Sequence, residues 1–282
     1  MPQRQATVGD EVLTSGRLFL ISGPCVIESE ELCRRVAEHM KAVCERLAIP
    51  YVFKASYDKA NRTSVSSFRG PGWDEGLMIL DRIRQEVGVP VLSDVHSVEE
   101  ARKAGGILDC LQVPAFLCRQ TDLVQAAAKW GNAVNLKKGQ FLAPWDMKHV
   151  VAKAEDAGAV NILVTERGAS FGYNRLVSDM TGIPSLAEFG HPVVFDATHS
   201  AQEPGGLDTA TGGNRETAAL LAKAAVAAGA DGLFLEVHPD PDNAKSDGPN
   251  SIALSDIDAL LETCLAIEAA VHATFAPGKP GG

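Results

Sequence analysis

No stretch of this 282-residue sequence approaches the roughly 20 consecutive apolar residues that span a bilayer. The polar residues 1–16 also lack the apolar stretch of a secretory signal, so the expected location is the cytoplasm. A basic excess is missing too: 26 Lys and Arg stand against 36 Asp and Glu, a formal charge of −10. That balance argues against nucleic acid, which is met by a basic footprint, and against docking on anionic lipid. It says nothing against small anionic substrates, which respond to local charge. The six cysteines, Cys25, Cys33, Cys44, Cys110, Cys118 and Cys264, contain no CxxC pair and no regular framework. Reduced thiols are therefore expected, with Cys33, Cys44 and Cys264 as small core residues inside helical patterns. No Pro/Ser-rich linker divides the chain, so residues 1–282 read as one domain with a short extension at 1–17 and a frayed Pro/Gly tail at 277–282.

What is present is an alternation. Short apolar runs at 18–22, 51–55, 89–95, 110–113, 133–136, 161–165, 193–197 and 232–237 are each followed by a helical pattern. Near-continuous apolar runs suit parallel strands buried on both faces. Over Glu30–Leu47 the apolar Leu32, Val36, Met40, Val43 and Leu47 recur every three or four residues, one face of an amphipathic helix. Ser97 and Glu100 form a capping-box pattern, residues 214–228 are rich in Ala and Leu, and a last helix is expected from Ser255 to Phe275. Eight such units predict a (β/α)8 TIM barrel. A doubly wound sheet is the alternative, but residues 22–25 read Ser-Gly-Pro-Cys and not GxGxxG.

In a TIM barrel the chemistry sits at the C-terminal ends of the strands. The polar residues there are Cys25; Lys54, Lys59, Asn61 and Arg62; Asp94 and His96; Gln112 and Arg119; Lys137 and Lys138; Glu166 and Arg167; Asp196 and His199; and Glu236, His238 and Asp247. Two chemical groups stand out. Lys54, Lys59, Arg62, Lys137 and Arg167 come from three units yet are expected to converge on one face, which implies an anionic, phosphate-bearing ligand. Cys25, His199, Glu236 and Asp247 offer a donor set suited to Zn2+, Fe2+, Mn2+ or Co2+. The residues alone leave other assignments open: Cys25 as a packed thiol, His199 as a general base, His96 as a further ligand.

Several long motifs give these residues a context. They are Gly23-Pro-Cys-Val-Ile-Glu-Ser29, Phe53-Lys-Ala-Ser-Tyr-Asp-Lys-Ala-Asn-Arg-Thr-Ser64, Ser93-Asp-Val-His96, Gln112-Val-Pro-Ala-Phe116 with Arg119-Gln-Thr-Asp122, and Asn135-Leu-Lys-Lys-Gly-Gln-Phe141. Glu166-Arg-Gly-Ala-Ser-Phe-Gly-Tyr173, Phe195-Asp-Ala-Thr-His199, Glu236-Val-His-Pro-Asp-Pro-Asp242 and Asp247-Gly-Pro249 follow in order. With them, the sequence from Leu18 to Pro249 resembles the 3-deoxy-D-manno-octulosonate 8-phosphate (KDO-8-phosphate) synthases, which are homotetrameric barrel enzymes of lipopolysaccharide biosynthesis. The resemblance implies condensation of phosphoenolpyruvate with D-arabinose 5-phosphate and water. It implies Lys54, Lys59, Lys137 and Arg167 around phosphoenolpyruvate, with Gln112 and Ala115 beside it. It also implies Asn61, Arg62, Thr63 and Arg119 at the aldose phosphate, Arg62 reaching it across a subunit interface. Asp94 and His96 border the substrates, and Lys59, His199 and Asp247 are the expected proton handlers. Cys25, His199, Glu236 and Asp247 match the ligands of the metal-dependent branch, whose metal-free counterpart carries Asn in place of Cys25. The related 3-deoxy-D-arabino-heptulosonate 7-phosphate synthases, which use erythrose 4-phosphate, read Lys-Pro-Arg-Thr-Ser where this chain reads Lys59-Ala-Asn-Arg-Thr63. Asn61 favours the five-carbon aldose. Residues 201–213 and 239–250 are expected to act as lids.

Overall fold

Each of the eight apolar runs becomes a strand, and each strand lies within two residues of its expected bounds. In the computed structural model, which describes residues 3–62, 64–207 and 210–275, they are β1 (Phe19–Gly23), β2 (Tyr51–Lys54), β3 (Val91–Asp94), β4 (Cys110–Val113), β5 (Ala133–Lys137), β6 (Ile162–Glu166), β7 (Val193–Asp196) and β8 (Gly232–His238). Every residue of these strands is buried, as the unbroken apolar runs require. Neighbours pair in parallel in chain order, and β7 with β8 and β8 with β1 close the barrel. The register sets Glu236 opposite Gly23 and Asp94 opposite Gln112, so polar strand ends share one rim.

The outer ring is α1 (Glu30–Leu47), α2 (Trp73–Val87), α3 (Val98–Ala104), α4 (Thr121–Trp130), α5 (Met147–Asp156), α6 (Gly182–Ala187), α7 (Arg215–Ala227) and α8 (Ile257–Phe275). α1 occupies the span its periodicity predicts. The Ser29 hydroxyl caps it by accepting from the Leu32 N–H, and Val36, Met40 and Val43 turn inward. Asn214 caps α7 through the Thr217 N–H. At α3 the capping box is only half made. Ser97 Oγ accepts from the Glu100 N–H, but the Glu100 carboxylate is drawn instead to the N–H and ring of His96 and to the Tyr57 hydroxyl. The expected tail at 277–282 lies outside the described residues. No described helix is long and apolar enough to cross a membrane.

The extension before β1 is an antiparallel hairpin of Gln5–Val8 with Glu11–Thr14. Its Ala6, Val8 and Leu13 join Phe19, Ile21, Val52, Leu92, Cys110, Ala133, Leu163, Val194 and Phe234 in one apolar cluster inside the barrel. The hairpin therefore fills the end of the barrel opposite the polar rim. Arg4 anchors it through a two-pronged bond to Asp231. A second, larger core lies between the strands and the helical ring.

Candidate active site

The polar rim encloses a cavity of about 650 Å³. Its base is the apolar barrel interior. The Lys137 Nζ stands 3.9 Å, and the Lys54 Nζ 5.4 Å, from the centre of the Phe234 ring. Ammonium groups over an aromatic face gain from its quadrupole, but both are desolvated. Lys54 is 1% exposed and pairs at 2.9 Å with the equally buried Glu236. Lys137 pairs with Asp196. Burial pulls the Lys137 ammonium below its ordinary range, although the Asp196 carboxylate opposes the shift. Burial lowers Arg167 as well, and its Nη1 makes no hydrogen bond among the described residues. Its Nη2 donates to Gln202 Oε1 at 2.8 Å. An incoming phosphate or carboxylate would supply the acceptor that the Arg167 Nη1 lacks among the described residues.

Higher on the wall stand Lys59, Ala60, Asn61 and Arg62 on one side and Gln112, Ala115 and Phe116 on another. Burial acts against the charge on Lys59, but Cys25, Glu236, Asp94 and Asp247 around it raise its pKa, so it stays protonated. The Arg62 guanidinium donates to the carbonyls of Phe68 and Lys245 and lines the pocket of its own chain. Asp94 accepts from Ser56 and contacts His96 Nε2 at 2.9 Å, while His96 Nδ1 meets Glu100 at 2.9 Å. Burial alone would raise Asp94, but the bonded His96 and nearby Lys59 and Lys54 hold its carboxyl well below the usual range. Gln112 is fixed by the Asn135 amide at 2.9 Å.

On the remaining side, ligand atoms of Cys25, His199 and Asp247 lie within 4.8 Å of one another. The fourth expected ligand, Glu236, stands outside this group of three but close to it, with Oε1 3.5 Å from His199 Nε2. Its buried Oε2 has no hydrogen-bond partner among the described residues. The His199 Nδ1 bonds to Asp196 at 2.8 Å, which turns Nε2 toward Glu236 and Asp247. Burial lowers the His199 pKa and favours the neutral imidazole, the form that ligates. An orphaned carboxylate oxygen, a tethered neutral imidazole, a thiol and a second carboxylate together fit a divalent cation of borderline softness. Asp247 adopts a left-handed φ of +48°, uncommon for a side-chain-bearing residue. Gln202 Nε2 holds its Oδ1 at 2.9 Å, and Cys25 Sγ lies 2.9 Å from its Oδ2.

Of the residues expected from sequence, Arg119 is not brought to the cavity. It is exposed before α4, beyond the turn at Ala115–Leu117, and its carbonyl accepts from Lys153. Thr63 lies outside the described residues. Among the lining residues absent from the expected set are Gln140, three residues beyond β5, and Gln202, which bridges Arg167 to Asp247. Gln202 opens the hairpin Gln202–Leu207 with Ala210–Gly213, in one of the expected lids. Its position three residues past His199 was the available signal.

Comparison with known proteins adds an independent line. The profile of the DAHP synthetase I family matches residues 7–272. A 2-dehydro-3-deoxyphosphooctonate aldolase from Trichlorobacter lovleyi is 57% identical over 270 residues, covering 95% of this chain and 99% of that protein. A protein of the same name from Geotalea uraniireducens is 57% identical over 269 residues, with 95% and 99% covered. Another from Desulfotalea psychrophila is 54% identical over 269 residues, with 95% and 96% covered.

Proposed function

The chain belongs to the DAHP synthetase I family, and from that premise we propose how its cavity works. The activity is that of its similar relatives: 2-dehydro-3-deoxyphosphooctonate aldolase is the same enzyme as 3-deoxy-8-phosphooctulonate synthase. It condenses phosphoenolpyruvate with D-arabinose 5-phosphate and water, releasing inorganic phosphate. The heptulosonate reaction with erythrose 4-phosphate is not favoured, since these relatives carry the octonate name.

One observation supports the site reading: Lys54, Lys59, Lys137 and Arg167 line one cavity, and the buried Arg167 Nη1 donor has no partner among the described residues. These four grip the phosphate and carboxylate of phosphoenolpyruvate over the barrel interior. Asn61 and Arg62 take the aldose phosphate nearer the mouth, with Asp94 and His96 along its path. Holding the two substrates together removes the entropy of a bimolecular encounter. C3 of phosphoenolpyruvate attacks the aldehyde, Lys59 protonates the resulting alkoxide, and water adds at C2. The tetrahedral hemiketal phosphate then expels inorganic phosphate. Lys137 and Arg167 face the charge that develops on the way. Cys25, His199, Glu236 and Asp247 would hold a divalent cation, which when bound supplies Lewis-acid polarisation and orientation of an oxygen ligand. His199 and Asp247 also handle protons at that wall.

Phosphate release should require arabinose 5-phosphate; release with erythrose 4-phosphate alone overturns the assignment. Chelation should abolish turnover, with Zn2+, Fe2+, Mn2+ or Co2+ restoring it. Full activity in metal-stripped protein rules out the metal proposal. We further assign a cytoplasmic homotetramer. The exposed Phe116, Phe141, Trp145, Phe171 and Tyr173, on the loops after three adjacent strands, support self-association. A monomeric mass by light scattering is the contrary result.

A further inference from the structure

Immediately after β5 stands a lysine that touches neither the cavity nor solvent. Lys138 is 1% exposed and does not line the pocket. Its Nζ lies 3.3 Å from Glu166 Oε1. It also donates to the carbonyls of Gly139 and Leu142 in its own loop, each at 3.2 Å, and of Gly168 in the loop after β6 at 3.3 Å. Glu166 Oε1 in turn accepts from the N–H groups of Arg167 at 2.9 Å and Gly168 at 2.7 Å. One carboxylate oxygen therefore fixes the peptide that carries Arg167. One ammonium ties that carboxylate to the turn that follows Lys137.

A buried ion pair is a poor source of stability, because neutral or apolar side chains of similar size often do as well without the desolvation cost. What this pair supplies is direction. It bridges the two adjacent loops after β5 and β6, next to Lys137 at the end of β5 and Arg167 at the start of the second loop. We propose that Lys138 and Glu166 are positioning residues that set the spacing of Lys137 and Arg167 to fit the phosphate and carboxylate of phosphoenolpyruvate. The proposal rests on the reading that Lys137 and Arg167 hold that substrate.

The test compares Lys138→Met, Glu166→Gln, the double variant and Arg167→Ala in the full-length enzyme. It measures KM for each substrate and the denaturation midpoint. Each single change leaves one charge buried and should lower the midpoint, whereas the double variant removes both charges and should recover it. Misaligned cations should still leave the double variant with a KM for phosphoenolpyruvate raised about tenfold, and the KM for arabinose 5-phosphate unchanged. A double variant whose KM returns to the wild-type value along with its stability overturns the proposal and leaves the pair purely structural. Should Lys138→Met not fold, the isosteric Glu166→Gln carries the same comparison of the two KM values. Arg167→Ala separates the premises. If it does not raise the KM for phosphoenolpyruvate, the substrate reading fails and this proposal with it. If only the pair variants leave that KM unchanged, the proposal alone fails.

Discussion

His96 shows how single residues at the rim are set by their neighbours. Burial works against its charge, yet hydrogen bonds to Asp94 and Glu100 raise its pKa to about 10. An unfolded histidine titrates near about 6.5. The folded state thus binds the proton more tightly, and this stability is complete below about pH 6.5 and lost as pH rises through about 10. In denaturant titrations, the stability gap between wild type and His96→Asn should shrink across that window. A gap that does not change with pH would show that no imidazolium is held there. Cys25 is the other instructive residue. Burial, with the Asp247 and Glu236 carboxylates beside it, pushes its thiol pKa up, so the thiolate form needs a cation next to it. Cys25→Asn should therefore weaken retention of Zn2+ measured by competition with a chelator, whatever its effect on turnover.

Elements were legible where the physics is local. Continuous apolar runs identified all eight barrel strands because a strand covered on both faces has few other compositions. Their ends moved by a residue or two because pairing, and not hydropathy, decides them. The run at 89–95 is trimmed to Val91–Asp94, the paired stretch flanked by the ladder bonds from the Phe53 N–H to the Pro90 carbonyl and from the Val95 N–H to the Gln112 carbonyl. The cavity lining was legible to the extent that polar side chains at and just past the strand ends of this fold share one rim, hence Lys54, Asp94, Gln112, Lys137, Arg167 and His199. Gln202 was not, since it acts from a Gly/Pro-rich hairpin with no alternation to reveal a strand. Arg119 was not brought to this chain's own cavity, because the turn before it directs the chain outward. The elements also separate stability from chemistry. Ser29→Ala removes the α1 cap and should cost about 1 kcal/mol. Leu13→Ala opens a void at the plugged end and should cost about 2–5 kcal/mol. Both should leave kcat per folded molecule unchanged, which calorimetry combined with active-site titration would check.

For the molecule as a whole, a net charge of −10 coexists with a strongly cationic cavity. Total charge governs solubility and chance association, while a few buried cations decide what binds. The hairpin that fills the floor has a kinetic meaning as well. With that end closed, the cavity is a cul-de-sac, and traffic through it is last in, first out. A molecule seated over Phe234 cannot arrive or depart while another lies across Asn61 and Arg62. With the substrates seated as proposed, phosphoenolpyruvate should load first and the aldose phosphate second. In an isotope-trapping experiment, labelled phosphoenolpyruvate bound before the chase should be carried into product, and labelled arabinose 5-phosphate should not. Equal trapping of both labels would mean that the barrel has a second way in.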